Sequence, residues 1–153
     1  MTSVLELRQL RKSFGNELVL ADVSLRVPEH SVTVLIGASG SGKSTLMRCI
    51  NLLEIPNSGR VYVNGELIKM KSLADGTAKP EDQKQVERIR SKLAMVFQNY
   101  ALYPHKKVFE NIAIGLRLRG YRELEVKKKV DEVSKMLKIE DLMARYPKQL
   151  SGG

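Results

Sequence analysis

Tryptophan is absent from these 153 residues, cysteine occurs once, at Cys49, and the aromatics together make up only 5%. One cysteine excludes an internal disulfide and suits a reducing compartment. No run approaches the roughly 18 consecutive apolar residues of a membrane-spanning helix. The opening MTSVLELRQLRK lacks the apolar core of a secretory signal peptide, so the expected location is the cytoplasm. Internal repeats and low-complexity tracts are missing as well. What is present, 42% hydrophobic and 28% charged residues of both signs, is too apolar for a disordered chain. The length fits about one domain, able to bury roughly 70% of its unfolded surface.

The net charge is +9, which raises nucleic acid or a membrane surface as partners. The excess is spread evenly, +4 over residues 1–98 and +5 over 99–153. The densest run, Lys127-Lys128-Lys129, lies in 123–138, where Val126, Val130, Val133 and Leu137 recur at helical spacing. Glu123/Lys127, Glu125/Lys129 and Asp131/Lys135 are (i, i+4) pairs with the acid leading, the favourable order. The run therefore reads as the solvated face of an amphipathic helix, and no nucleic-acid partner is expected.

Residues 4–10 and 18–27 alternate as strands, the second with Val23, Leu25 and Val27 on one face. Residues 31–36, SVTVLI, form a β-branched run of the kind buried on both faces of a parallel sheet. A glycine-rich loop leads into a helix over 43–53. Asn64-Gly65 between apolar runs signals a hairpin. Residues 71–81 read as a polar loop or insertion, 82–92 as a helix, and 93–97 as a short buried strand. Residues 100–107 are irregular; 108–119, 123–138 and 139–145 complete a helical tail. Strands first, then βα, then helices is an α/β order.

Gly37-Ala38-Ser39-Gly40-Ser41-Gly42-Lys43-Ser44 fits G-x-x-x-x-G-K-[ST] without a gap. It follows a predicted strand and precedes a predicted helix, as the chemistry demands. Glycines let the backbone curl so that successive N–H groups face a phosphate. The helix start adds unsatisfied N–H groups and roughly half a positive charge. Lys43 is expected to reach the β- and γ-phosphates and Ser44 to ligate Mg²⁺; Thr45 offers a further hydroxyl near the α-phosphate.

Three other segments narrow the class. Leu150-Ser151-Gly152-Gly153 resembles the start of the LSGGQ signature of ATP-binding-cassette (ABC) ATPases. Met95-Val96-Phe97-Gln98-Asn99-Tyr100 resembles their Q-loop, and Lys12-Ser13-Phe14-Gly15 sits where they place an adenine-stacking aromatic. The resemblance covers essentially the whole chain and the family's first half. It implies an α/β fold: a P-loop NTPase core (1–98) with an N-terminal antiparallel β subdomain, then a helical subdomain (99–153) ending in the signature. It implies the nucleotide-binding subunit of an importer that binds ATP and Mg²⁺, works with transmembrane permease subunits, pairs head to tail with a second copy, and sits on the inner face of the cell membrane.

Carried over by residue, the resemblance makes Phe14 the adenine platform, with Val19 lining the adenosine edge. Phe14 taken by itself reads rather as a strand-end core aromatic, and the other motifs turn the reading to stacking. Gln98 would help ligate Mg²⁺ or orient water, and Ser151, Gly152 and Gly153 would clamp the γ-phosphate held by the opposite copy. Leu102, Tyr103 and Pro104 would shape a groove for the membrane subunit, with ordinary loop packing an equal reading for each. Asp22, at the end of an aliphatic run, imitates a Walker B aspartate but precedes the phosphate loop, so it is structural. His105 is not the family's switch histidine, His30 is a solvated turn residue, and Cys49 is a small core filler.

The family's Walker B acids and switch histidine lie beyond its signature and are not among these residues. The chain is accordingly expected to be truncated at the signature, to leave an unpaired apolar sheet edge, and to hold phosphate without efficient hydrolysis. Whether it is itself an enzyme stays open. So does a non-catalytic fragment, natural or engineered, that binds nucleotide or self-associates. Residues 48–54 resemble polar amino-acid importers and residues from 99 onward sugar or osmolyte importers; amino-acid import is the preferred expectation. A soluble ABC protein acting on DNA or ribosomes is a third alternative.

Overall fold

A computed structural model describes residues 3–73, 77–97 and 101–150. The chain divides into two compact units, Met1–Met95 and Val96–Gly153.

The first unit is built on a hairpin of β1 (Ser3–Phe14) and β2 (Glu17–Pro28), which closes through Gly15-Asn16 with Phe14 opposite Glu17. β3 (Ser58–Val63) pairs antiparallel with the other edge of β1, and β4 (Glu66–Leu67) returns from the Asn64-Gly65 turn, giving the order β2-β1-β3-β4. Asn64 and Gly65 both have positive φ, 50° and 76°, as the tightest hairpin turn requires. Strict alternation along β1 would send Leu7 and Leu10 to opposite faces, yet both are buried. The pairing register shifts between them, and Gln9 takes φ 48°. This bulge resets the phase so that both leucines enter one core. Asp22, φ 52°, does the same between Leu20 and Val23 on β2, and its carboxylate pairs with Arg11 at 3.1 Å. It is a bulge residue, in line with its structural reading.

α1 (Lys43–Ile50) and α2 (Gln83–Arg90) place Leu46, Cys49, Ile50, Val86 and Ile89 in the same core as Leu7, Leu10, Leu20, Val61, Val63 and Ile68. Asp82 caps α2 by accepting from the Lys84 amide at 2.8 Å. Arg90 of α2 donates to the Asn51 and Leu52 carbonyls at the exit of α1, where a cation meets the negative end of the helix dipole.

Three sequence expectations change here. Residues 31–36 are not a strand buried on both faces: they carry no strand assignment, with Val32 91% and Ile36 93% exposed. A run of this kind folds as a strand only between parallel neighbours, and the described residues supply none. Residues 93–97 form no strand for the same reason, and Val96 is exposed. Conversely, part of the expected 71–81 loop is a small hairpin, β5 (Met70–Ser72) with β6 (Ala78–Pro80).

In the second unit α3 (Val108–Leu118) and α4 (Glu123–Leu137) enclose Ala113, Val126 and Val130, with Phe109, Ile112, Leu116 and Met143 packed around them. The Val108 and Phe109 amides at the start of α3 donate to the Arg145 and Met143 carbonyls at 2.9 and 3.1 Å, satisfying orphan donors. Beyond α4, only Glu140–Leu142 and Pro147–Gln149 form single 3₁₀ turns within the expected helix and its end. Of the three expected ion pairs on α4, Asp131–Lys135 forms at 2.8 Å. Glu123 instead meets the Arg117 guanidinium through two bonds at 2.7 and 3.0 Å, a planar fork that outcompetes a flexible ammonium. Glu125 turns back to accept from the Arg122 amide at 3.0 Å.

Glu66 joins β4 to α2. Its carboxylate accepts from both terminal nitrogens of Arg88 and from Gln85 Nε2, and chiefly Arg88, then Gln85, hold its pKa down to about 2. A carboxylate depressed in the folded state contributes stability above its unfolded pKa and loses it as pH falls toward 2. A ¹³C carboxyl titration should place the Glu66 midpoint near 2, and Arg88→Met should raise it toward the ordinary carboxylate range. A midpoint unmoved by that substitution would show that Arg88 does not hold the charge.

Candidate phosphate-binding site

The glycine-rich loop, residues 37–42, hands over to α1 at Gly42, which caps the helix in the left-handed region at φ 86°, ψ 2°. Its placement is set by contact as well as by conformation. A Cβ there would lie 3.0 Å from the Val19 carbonyl oxygen, 3.0 Å from Leu20 Cδ2 and 3.2 Å from Val19 Cγ1. The absence of a side chain at position 42 thus lets the loop's end settle directly on β2. Behind it, Leu46, Cys49 and Ile50 fasten α1 to the sheet. Burial pushes the Cys49 thiol up to about 11, which keeps it an inert filler, as its sequence position suggested.

A glycine cap offers no side-chain acceptor, and the first turn of α1 carries no acid. Its amide donors therefore meet no protein carboxylate or hydroxyl cap, and a helix start left this way favours an anion. Lys43 adds a full charge. Its Nζ donates to the Gly37 carbonyl at 2.8 Å, the Ala38 carbonyl at 2.6 Å and Ser41 Oγ at 3.2 Å, so the ammonium is gathered over the loop itself. Ser39 and Gly40 form the exposed tip, Gly40 at φ 80°. Ser44 is exposed and Thr45 half-buried in the first helical turn.

Two further predicted residues adjoin this site through the hairpin. Val19 is half-buried and touches the loop's end, as described above. Phe14 stands at the β1–β2 turn, 45% exposed, with the Lys12 ammonium 4.8 Å from its ring centroid. Gln98, and Ser151, Gly152 and Gly153, lie outside the described residues. Leu102 and Tyr103 are exposed, and Tyr103 meets His105 edge to face at 6.0 Å.

Two residues escaped the sequence reading. Asn111 organises the segment ahead of α3: its Oδ1 accepts from the Tyr103 amide at 2.8 Å, and its Nδ2 faces the Tyr103, Lys106 and Lys107 carbonyls at 3.0–3.2 Å. An asparagine within a helical stretch, where it is a poor former, was the available signal. Lys12 was the other, two residues before Phe14 and so on the same face of the strand.

Residues 20–153 match a family model described as ABC transporter. The octopine permease ATP-binding protein P of Rhizobium radiobacter is 40% identical over 97% of this chain and 57% of its own length. The methionine import ATP-binding protein MetN of Legionella pneumophila (strain Lens) is 40% identical over 98% of this chain and 41% of its own. The chain thus spans about half the length of the curated relatives it matches. A solved structure of cbiO1 from Clostridium perfringens, part of the ABC transporter complex cbiONQ, aligns with a TM-score of 0.79 over 99% of this chain and 57% of that one. At 24% identity this likeness shows the fold, and the fold agrees with the sequence reading of a P-loop α/β core with an antiparallel β part.

The contact at Gly42 generates a test. Gly42→Ala should lower the free energy of unfolding by about 1–3 kcal/mol, from left-handed strain together with the clash on Val19 and Leu20. Gly65→Ala is the control, since its φ is also positive but no atom lies within 4 Å of the added Cβ. Urea denaturation should rank Gly42→Ala as the more damaging; equal losses would mean that the close approach to β2 contributes nothing.

Proposed function

This chain belongs to the ABC transporter family, and from that premise we propose that its first unit binds ATP with Mg²⁺ as the nucleotide-gripping part of an importer. The observation that carries this reading is the start of α1: a glycine-capped helix end, without competing acids, with the Lys43 ammonium held over the same loop. These groups suit a polyphosphate. Backbone donors and the helix dipole hold the β-phosphate region, Lys43 supplies a full positive charge beside it, and Ser44 offers its hydroxyl to the metal. When bound, Mg²⁺ would supply neutralisation of phosphate charge, with the Ser44 hydroxyl among the groups that would hold it. Phe14 takes the base and Val19 the edge of the nucleoside. Gln98 joins the metal site, and Ser151, Gly152 and Gly153 face the nucleotide of a second copy in head-to-tail pairing.

The relatives' names, an octopine permease and a methionine importer, support amino acids or their derivatives as the transported class and permease subunits as partners. No helix among the described residues is long and apolar enough to cross a membrane, which is compatible with docking on permeases from the inner face.

Calorimetry should detect Mg²⁺-dependent ATP binding, weakened roughly 10–100-fold by Lys43→Ala, the equivalent of about 1.5–3 kcal/mol for a charged hydrogen bond. A folded chain that ignores ATP would overturn the binding reading.

A second reading rests on residues 31–36, where Val32, Val34 and Ile36 are exposed: the chain self-associates through this segment. Sedimentation should show a dimer or larger species that the triple variant Val32→Thr, Val34→Thr, Ile36→Thr returns to monomer. A wild-type monomer at every concentration would discard this reading.

A further inference from the structure

Lys12 makes an unusual set of contacts for a strand lysine. Its side chain is only 12% exposed. Its Nζ donates to the Ile55 carbonyl at 2.8 Å, pairs with Glu54 Oε2 at 3.3 Å, and lies 4.8 Å from the Phe14 ring centroid. A carbonyl, a carboxylate and an aromatic face thus adjoin the ammonium. The charge is neither solvated nor part of the phosphate site; it is committed to fixing one ring.

The anchor at the far side matters. Glu54 and Ile55 follow α1, the helix whose first turn carries the phosphate loop. The neighbouring backbone is tied to the same segment: the Ser13 amide donates to Asn57 Oδ1 at 2.7 Å and the Asn57 amide to the Arg11 carbonyl at 2.9 Å. Phe14 itself, at a hairpin end and nearly half exposed, has little else to set its rotamer. With the cation on one face, the ring is held so that its other face is available for stacking.

We infer that Lys12 is a positioning residue for nucleotide: it pre-orders Phe14 as the base platform and sets that platform at a fixed reach from the phosphate loop through the exit of α1. This rests on the reading of Phe14 as the base-stacking residue. Immobilising a side chain before binding removes that ordering cost from the binding step. The effect therefore belongs to the base and not to the phosphates.

The test measures binding of ATP and of inorganic tripolyphosphate, each with Mg²⁺, to the whole chain. Lys12→Met should weaken ATP about three- to tenfold and leave tripolyphosphate unchanged. Lys12→Arg should restore most of the loss, because a guanidinium also covers a ring. In a Phe14→Leu background Lys12→Met should cause no further loss, the coupling expected of residues that act through one another. Should Lys12→Met fail to fold by circular dichroism, Lys12→Gln keeps a donor for the Ile55 carbonyl while removing the charge, and the same ATP-specific loss is expected.

Equal losses for ATP and tripolyphosphate would mean that Lys12 merely braces the fold, overturning the inference. So would a Lys12→Met chain that binds ATP like the wild type while Phe14→Leu is weakened. If Phe14→Leu binds ATP as tightly as the wild type, the reading of Phe14 fails first, and the inference with it.

Discussion

The close approach of Gly42 to the Val19–Leu20 backbone, near 3 Å from where a side chain would begin, is the constraint on which the site depends. It fixes where α1 starts, and from there the helix buries Leu46, Cys49 and Ile50 in the core it shares with the sheet. The loop's curvature, the aim of the first-turn amides and the station of Lys43 all follow from that starting point. A larger residue at 42 would push the helix start off the sheet before any ligand entered the question. The P-loop glycine is thus a packing residue for the apolar core as much as a phosphate residue.

The charged groups of the chain divide by task in a way that net charge conceals. Arg88 with Glu66, Arg11 with Asp22, and Arg117 with Glu110 and Glu123 join neighbouring elements at the surface, where ion pairs contribute modestly and salt screens them. Lys12 and Lys43 are different. Each ammonium donates to backbone carbonyls flanking one helix, Lys43 to two in the loop before α1 and Lys12 to one in the segment after it. The two lysines bracket α1, one standing by the proposed phosphate position and the other behind the proposed base platform. Surface pairs hold the scaffold, while these two charges set distances within the site.

What the sequence made legible was the chemistry that is local. The run 37–44 could be read because each residue type answers to its immediate backbone: positive φ at Gly40 and Gly42, an uncapped helix start, a lysine one residue in. Asn64-Gly65 was legible for the same reason. Strands over 4–10 and 18–27 were anticipated too, but neither their extension into one long hairpin nor its two bulges, since nothing in alternation alone announces that Leu7 and Leu10 share a face. Residues 31–36 and 93–97 failed for a sharper reason. Their pattern encodes burial between neighbouring strands, which is a property of the surroundings and not of the segment. Lys12 was missed because it lies beyond the strand expected over 4–10, and only the fold brings the exit of α1 beneath it.

That failure bears on the site. The phosphate loop is clamped at its α1 end by the contact on β2, but its other end emerges from residues 31–36, which belong to no sheet. At that end Lys43 is the tie, through the Gly37 and Ala38 carbonyls. A polyphosphate that draws on the Lys43 charge competes with the bond that holds the loop's entrance in shape. Any sheet neighbour that covered Val32, Val34 and Ile36 would fix the entrance independently and release Lys43 for the ligand. Each exposed side chain would gain about 1.5–3 kcal/mol on full burial, which approaches the roughly 1–2 kcal/mol per residue that ordering costs only if all three are covered together. By linkage, covering this segment and filling the loop must then favour one another.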